Sequence, residues 1–320
     1  MKIAVIGHIC RDIIHPPKGT SAAAPSEQWG GITYTLLALS ALMGEGDTIV
    51  PIFGVGKTDY ASLLELLSPY KNINTKAIFP LPGQTNAVHL FYEQGSHSRI
   101  ECSAHISPPI PFGIIKPHLD VDGIIVNMVS GFDISLETLD QIRMEVRNDG
   151  TPIHFDFHSL TLGVDKESKR FRRPLIDWRR WCFMLNSIQM SEEEAQGLAS
   201  ERYDETTLIN QLMPLMVHSL LITRGERGAS LIQQKQKKLG RHDVPGITLT
   251  SSPETTGCGD VFGAAYLLRS LQSKDPVAAV EFANQVAAIN ATLHGAQELH
   301  KLPELLATHF PPVQAAKESR

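Results

Sequence analysis

The segment Glu254-Thr255-Thr256-Gly257-Cys258-Gly259-Asp260 is the most informative stretch of this chain. It joins two glycines to the start of a helix predicted at residues 260–271. Glycine lets the backbone approach a phosphate closely, and the unpaired N–H groups at a helix start attract an anion. A carboxylate beside that anion has a use if it accepts the proton of a hydroxyl that attacks phosphorus. The segment therefore indicates phosphoryl transfer, although an ordinary helix start can also have this pattern.

The composition favours a small-molecule substrate. The chain has 320 residues, enough for one large α/β domain or for one domain with a small appendage. Its formal net charge is -5, and it has no long basic block. Nucleic acid and anionic membranes attract basic surfaces, so we expect neither as a partner.

The cysteines and the amino-terminal residues predict a cytoplasmic, unprocessed protein. The four cysteines lie far apart and form no Cys-x-x-Cys pair, so neither a zinc site nor a disulfide framework is expected. His8, Arg11 and Asp12 interrupt the region that would form the apolar part of a signal peptide. No apolar run approaches the length of a membrane span.

Short apolar runs alternate with amphipathic stretches along most of the chain. The runs predict buried strands at residues 3–6, 49–53, 123–129, 153–157, 182–188 and 220–223. Apolar residues at three- and four-residue spacing predict helices at residues 32–43, 60–67, 136–146, 191–199, 205–216, 260–271 and 276–293. This alternation predicts a doubly wound, mostly parallel α/β sheet flanked by helices, with ligands at the carboxyl ends of the strands.

Two segments depart from the alternation. Residues 13–30 are rich in Pro, Ala and Ser, and residues 84–106 contain two strand-like runs that flank Gln94-Gly95-Ser96. The second pattern is typical of antiparallel strands joined by a hairpin turn. We predict a small β lid of residues 13–30 and 84–106 on an α/β core of residues 1–12, 31–83 and 107–320.

The glycines nearest to known nucleotide loops do not complete a fingerprint. Gly54-Val55-Gly56-Lys57-Thr58 ends like a P-loop, but Pro51 stands at the position of its first glycine. Asp59 stands where a dinucleotide fingerprint needs its last glycine. Residues 54–59 are therefore interpreted as a strand-to-helix turn, and a Rossmann-like dehydrogenase is disfavoured.

Nearly the whole chain resembles the ribokinase-like, or PfkB, carbohydrate kinases, whose motifs it carries in the same order. Residues 254–260 resemble the family signature Asp-Thr-x-Gly-Ala-Gly-Asp. The resemblance implies that Asp260 is the catalytic base and that the backbone amides of Gly257, Cys258 and Gly259 form an anion hole. Glu254 and Cys258 depart from the signature, the first in a loop that supports a monovalent cation in some members.

The resemblance extends to the substrate end. Gly30-Gly31, followed by Thr35, resembles a Gly-Gly pair followed by an Asn that contacts the substrate, with Thr35 at the Asn position. Asp12 matches the Asp that binds sugar hydroxyls in this family. The resemblance therefore implies that Asp12, Gly30, Gly31 and Thr35 bind the substrate.

One predicted strand carries alternating polar residues. His154, Asp156 and His158 would face the same side of the strand at residues 153–157. Metal ligation by these three is disfavoured because the sequence offers no further ligand nearby. In the family the equivalent strand ends at the substrate pocket with an Asp, so Asp156 and His158 are candidate substrate contacts.

Two later motifs imply a nucleotide. Residues 223–228 resemble the family's Thr-x-Gly-x-x-Gly turn, although a simple turn between two strands would have the same pattern. Asn284 resembles a helical Asn that lies near the adenine in the family. The resemblance thus implies ATP as a cofactor, with Thr223, Gly225, Gly228 and Asn284 as its contacts.

The Mg²⁺ motif Asn-x-x-Glu, which acts through water, admits two alignments. Asn186 precedes Gln189 by three residues, and Ser191 precedes Glu194 by three. We favour the second because, as in the motif, it opens a helix after a strand, although a Ser cap before acidic residues would look the same. Glu194 is therefore the candidate that holds Mg²⁺ through water.

The expected function is ATP-dependent phosphorylation of a hydroxyl of a sugar or sugar-like small molecule. A nucleoside kinase of the same fold and a non-catalytic ligand-binding sensor remain as alternatives. Phe91 and Tyr92 facing inward from the lid would favour a substrate that carries a base. Both a monomer and a homodimer are compatible with the sequence.

Overall fold

A computed structural model describes residues 1–16, 25–92, 99–235, 238–251 and 253–311. The strands in these ranges are β1 (Lys2–Ile6), β2 (Ile9–His15), β3 (Ser26–Gly31), β4 (Thr48–Gly56), β5 (Ile78–Leu81), β6 (Asn86–Tyr92), β7 (Arg99–Ala104), β8 (Gly123–Asn127), β9 (Ile153–Asp156), β10 (Leu162–Val164), β11 (Arg170–Arg172), β12 (Ser187–Ser191), β13 (Ser219–Thr223), β14 (Ala229–Lys235) and β15 (Lys238–Val244).

The helices are α1 (Thr33–Leu42), α2 (Tyr60–Leu67), α3 (Phe112–Ile115), α4 (Leu136–Val146), α5 (Trp178–Cys182), α6 (Glu192–Gly197), α7 (Glu205–Leu212), α8 (Cys258–Ser273), α9 (Pro276–Asn290) and α10 (Leu302–His309). Short 3-10 turns cover Thr75–Ala77, Lys116–His118, Ser159–Thr161, Met213–Leu215, Gly225–Arg227 and Ala296–Lys301. Within the described part of the chain, no helix is both long and apolar enough to cross a membrane.

The main sheet has nine strands in the order β15-β14-β13-β12-β9-β8-β1-β4-β5. The strands from β13 to β5 run parallel, and β14 and β15 extend this sheet antiparallel at one edge. Strand β1 lies in the middle, and the side chains from Ile3 to Ile6 have no exposed surface. This explains the continuous apolar runs in the sequence, and the predicted doubly wound, mostly parallel sheet is confirmed.

A second sheet has four strands in the order β3-β2-β6-β7. Alternate residues of a strand point to opposite faces, so Cys10 and Asp12 of β2 share a face with Val88 of β6. Strand β2 already begins at Ile9, so Asp12 belongs to this sheet and not to the core range in which the sequence placed it. The predicted turn at Gln94-Gly95-Ser96 lies outside the described residues.

Two predicted elements differ most from the structure in extent. The strand expected at residues 182–188 is β12, five residues later, because Cys182 ends α5 and is buried with Trp178 and Trp181. The apolar run there belongs to a short helix and a turn. The helix expected at residues 205–216 ends at Leu212 and continues as a 3-10 turn that contains Pro214. Proline has no N–H to donate within an α-helix, so the helix stops before it.

Candidate active site

The start of α8 has a conformation that requires glycine. Gly257 caps the helix with φ 77°, in the left-handed region, and Asp260 lies in the first turn. A Cβ atom on Gly257 would lie 2.1 Å from a ring carbon of Tyr34, which is nearer than any real contact. The aromatic ring and the positive φ together explain why this position is glycine.

Side-chain hydrogen bonds fix the loop before α8. Asn290 of α9 donates to the carbonyl of Thr256 at 3.0 Å and to Sγ of Cys258 at 3.3 Å. Oε1 of Glu254 accepts from the backbone N–H of Thr256 at 3.0 Å and from its hydroxyl at 2.6 Å. Glu254, which departs from the family signature, thus holds the loop from within.

The loop separates two cavities. The larger has a volume of about 300 Å³, and Cys258 and Gly259 line it from the loop. The smaller has a volume of about 100 Å³, and Gly257 and Asp260 line it. The start of α8 is therefore shared by both cavities, with the Asp260 carboxylate on the side of the smaller one.

The larger cavity collects the residues predicted to contact a nucleotide. Thr223, Gly225, Gly228 and Asn284 all line it. Gly228 has φ 91°, and a Cβ there would lie 2.0 Å from the carbonyl oxygen of Val244, so the turn passes close to the end of β15. Asn284 donates to the carbonyl of Pro245 at 2.9 Å and so holds the segment after β15.

The smaller cavity contains only some of the predicted substrate contacts. Asp12 and Gly31 line it together with Gly257 and Asp260. Gly30 lies behind Asp12, since a Cβ on Gly30 would lie 2.0 Å from the Asp12 carboxylate. Thr35 has no exposed surface, and its hydroxyl accepts a hydrogen bond from Asn127 at 3.0 Å. Gly30 and Thr35 are thus placed to support the cavity wall from behind.

Asp260 is held by one strong contact. Nδ2 of Asn127 donates to its Oδ1 at 2.5 Å. Burial raises the pKa of Asp260 to about 6, while the Asn127 hydrogen bond and the nearby His158 act in the opposite direction. A carboxylate with a pKa near neutrality that faces a cavity is suited to accept a proton.

Arg170 of β11 joins the small sheet to the segment that follows β8. Its guanidinium donates to the hydroxyl of Ser103 at 2.7 Å, to Glu101 at 3.2 Å and to the carbonyl of Val129 at 2.7 Å. Glu101 and Arg170 both line the smaller cavity. Neither residue was predicted as a site residue from the sequence, because they belong to no motif and lie far apart in the chain.

Asn127 and Asn290 were not predicted as site residues either, although the sequence position of Asn127 indicated a candidate. Asn127 is the last residue of the buried parallel strand β8, and polar residues at such strand ends are candidates for ligand binding. The predicted strand extended to residue 129, so Asn127 was not recognised as a residue at the strand end. Asn290 lies at the end of α9, where nothing in the sequence distinguishes it from an ordinary helical Asn.

Glu194 is surrounded by donors. Its carboxylate accepts from the backbone N–H of Ser191 at 2.7 Å, from Nδ1 of His158 at 2.9 Å and from Arg172 at 3.3 Å. Burial opposes both charges, but the contact between Glu194 and His158 outweighs it, so the pKa of Glu194 is lowered and that of His158 is raised. With two cationic partners, Glu194 does not offer the free negative charge that Mg²⁺ needs.

The other candidate metal residues do not form a cluster either. His154 is buried, and its Nδ1 pairs with the hydroxyl of Ser187 at 2.8 Å. Asp156 accepts from the backbone N–H of His158 at 3.1 Å. In the described ranges, no group of three His, Cys, Asp or Glu side chains could hold a metal ion. The water-mediated Mg²⁺ role of Glu194 remains a prediction that this geometry does not favour.

Comparison with known proteins identifies similar sequences and folds. Residues 183–303 match the sequence model of the pfkB family of carbohydrate kinases. The chain is 22% identical over 306 residues to a ribokinase of Bacillus subtilis (strain 168), covering 92% of this chain and 94% of that protein. These matches confirm the predicted resemblance to PfkB carbohydrate kinases.

Solved structures share the fold. A pyrophosphate-dependent kinase in the ribokinase family has a TM-score of 0.75 at 14% identity, covering 93% of this chain and 99% of that chain. An uncharacterized sugar kinase from Pyrococcus horikoshii in complex with ATP has a TM-score of 0.69 at 22% identity, covering 95% of this chain and 97% of that chain. The predicted ribokinase-like fold is confirmed.

Proposed function

We propose that this chain is a carbohydrate kinase of the pfkB type, which phosphorylates a hydroxyl of a sugar or sugar-like small molecule with ATP. The observation that carries the proposal is the position of the loop at residues 254–260 between two cavities. The larger cavity is the donor cavity, with Cys258 and Gly259 on its wall. The smaller is the acceptor cavity, with Asp12 and Asp260 on its wall.

The transfer uses groups of this chain on both sides of the loop. A hydroxyl bound beside Asp12 gives its proton to the carboxylate of Asp260 as its oxygen forms a bond to the γ-phosphorus. The bond from that phosphorus to the bridging oxygen of ADP breaks at the same time. The amides of Gly257, Cys258 and Gly259 and the positive end of α8 stabilise the charge on the phosphoryl oxygens. Mg²⁺ bound to the ATP phosphates would supply further positive charge.

The walls of the donor cavity favour ATP over pyrophosphate. They include Ile247, Leu249, Phe262, Ala287 and Ala288, which offer apolar contact to a flat base. Pyrophosphate has no apolar surface to bury and gains nothing from such walls. Oε1 of Glu254 already accepts two hydrogen bonds from Thr256 within the loop. A monovalent cation near Glu254 remains a prediction.

The residues of β6 around the acceptor cavity bear on the choice between a sugar and a nucleoside. The cavity has a volume of about 100 Å³. Phe91 lies on the opposite face of the small sheet from Leu90, which lines the cavity, and its ring stacks on His15 at 4.1 Å. Phe91 therefore does not face the acceptor, whereas Tyr92 shares the face of Leu90 and packs against the same apolar cluster. A nucleoside therefore stays in the test as an alternative.

The test is a coupled ADP-release assay over a panel of sugars, polyols and nucleosides. ATP and pyrophosphate are compared as donors. Because pyrophosphate releases no ADP, transfer from it is measured as the amount of phosphorylated product. We expect ATP-dependent turnover with at least one sugar or polyol. Absence of turnover with every acceptor, together with saturable binding of a sugar, would support the non-catalytic sensor instead. The cytoplasmic location and the choice between monomer and homodimer remain predictions.

A further inference from the structure

Asn127 links Thr35 to the carboxylate of Asp260. Its amide nitrogen carries two hydrogens, and Nδ2 lies 3.0 Å from the Thr35 hydroxyl and 2.5 Å from Oδ1 of Asp260. Given the proposed function, on which this inference rests, we propose that Asn127 and Thr35 are positioning residues that hold the carboxylate of Asp260 toward the acceptor hydroxyl.

The backbone holds Asn127 firmly in place. It ends β8, which pairs with the central strand β1 up to Ile6 and Val126. Gly7 follows β1, and a Cβ there would lie 1.7 Å from the carbonyl oxygen of Asn127. The bare backbone of Gly7 therefore packs directly against Asn127. Because its neighbours are fixed on both sides, the amide of Asn127 is a rigid support for Asp260.

Thr35 acts through Asn127 and not on the substrate. It lies in the buried part of α1 with no exposed surface, whereas Asn127 lines the acceptor cavity. Its hydroxyl oxygen accepts one of the two amide hydrogens of Asn127 and so directs the other hydrogen to Asp260. Valine has nearly the same shape but no hydroxyl, so Thr35→Val would release the amide.

Loss of this support changes the ionisation of Asp260 as well as its position. The hydrogen bond from Asn127 stabilises the carboxylate, so its removal raises the pKa of Asp260 further. Ionisable groups that interact with Asp260 include Cys10, Tyr34, Asp156, His158 and Cys258, and Asp12, Glu101 and Arg170 line the same cavity. All of them remain in the variants used below, so a change in the acidic limb of the pH profile reports on the support.

The experiment compares Asn127→Leu, Thr35→Val and Thr35→Ser in the kinase assay from pH 5 to 8. We expect Asn127→Leu to lower kcat about 100-fold and to move the acidic limb of kcat/KM up by about one pH unit, with little change in acceptor KM. We expect Thr35→Val to lower kcat about tenfold with a smaller shift in the same direction. Thr35→Ser restores the acceptor oxygen and recovers most of the lost rate.

Thr138→Val is the matched control, because Thr138 is a buried threonine of α4 whose hydroxyl accepts a hydrogen bond from the helix cap Ser135 at 3.2 Å, away from both cavities. Its activity should equal that of the wild type.

A wild-type acidic limb in Asn127→Leu, or an effect on acceptor KM alone, would overturn the proposal. If Asn127→Leu does not fold, equal rates and pH profiles for Thr35→Val and Thr35→Ser overturn it. Failure of the proposed function has a different signature, since wild type and Asp260→Asn would then show the same lack of transfer.

Discussion

The carboxylate of Asp260 faces the acceptor cavity, and its surroundings oppose its ionisation. Burial raises its pKa to about 6, against an ordinary value near 3.8. A general base must be ionised to accept a proton, and a base with a pKa near the working pH is most effective. The same environment that raises the pKa of this carboxylate also makes it a stronger base once it is ionised.

This environment predicts the pH dependence of the reaction. Above pH 6 the carboxylate is mostly ionised, so kcat/KM for the acceptor should be nearly constant there. As the pH falls through about 6, protonation removes the base, and kcat/KM should fall about tenfold per unit. Initial rates from pH 5 to 8, with a melting curve at each pH to verify folding, measure this limb. A value of kcat/KM that stays constant down to pH 5 would mean that another group titrates or that the pKa of Asp260 is not raised.

At single residues, the sequence predicts side chains that act within a local motif and misses those that act across space. Asp260 and Gly257 belong to one contiguous segment, so their placement together at the start of α8 could be predicted. Arg170 lies 67 residues from Ser103, its hydrogen-bond partner. Such a contact depends on how two sheets pack, and no local pattern in the sequence reports it.

At the level of single elements, the turn before α8 is the most constrained. Gly257 adopts φ 77° and lies directly against the ring of Tyr34. A shift of this turn would move the amides of the proposed anion hole and the carboxylate of Asp260 together. Displacement of about 1 Å at a reacting centre can lower a rate about 100-fold.

Gly257→Ala tests this constraint against a matched glycine. Gly150 has a similar φ of 69° and follows α4, and a Cβ added there would meet no atom within 4 Å. We expect Gly150→Ala to lower stability by about 1 kcal/mol through its backbone alone, with unchanged activity. Gly257→Ala should in addition lower kcat at least about 100-fold. Urea unfolding and the kinase assay measure the two effects, and equal activity of both variants would contradict the role of the turn.

The hydrophobic pattern of the sequence predicts helices and strands correctly where it fits only one type of element. Strand β1 and helices α2 and α4 lie where the sequence predicts them, because their apolar periodicity is unbroken. The prediction at residues 182–188 was wrong because a short buried helix and a buried strand have the same apolar composition. Only the packing of Trp178 and Trp181 in the core distinguishes the two.

At the scale of the whole molecule, the proposed function depends on two cavities that meet at one helix start. The main sheet supplies the floor through the ends of β8 and β13, and the small sheet covers the acceptor cavity with Val88 and Leu90. The family motifs predicted some of the residues that line the two cavities, among them Asp12, Gly31, Thr223 and Asn284. The sequence did not predict that Gly30 and Thr35 would lie behind the acceptor wall, because this depends on the packing of α1 and β3 against β2 and β8.

The donor cavity offers a test of the nucleotide. Ala288 of α9 lines it and is half-buried, so Ala288→Phe should occupy space that a base requires. We expect the KM for ATP to rise at least about tenfold, with acceptor KM nearly unchanged. Ala307→Phe on the exposed side of α10 is the control and should behave as the wild type. An unchanged donor KM in Ala288→Phe would contradict a base in this cavity and would favour pyrophosphate as the donor.

The central claim is that Asp260 is the general base of a phosphoryl transfer. Asp260→Asn keeps the shape of the side chain and removes its charge, so the initial rate of ADP release with the best acceptor tests the claim most directly. We predict normal folding, retained ATP binding and a loss of at least about 100-fold in kcat. Near wild-type turnover in a folded Asp260→Asn variant would contradict the account.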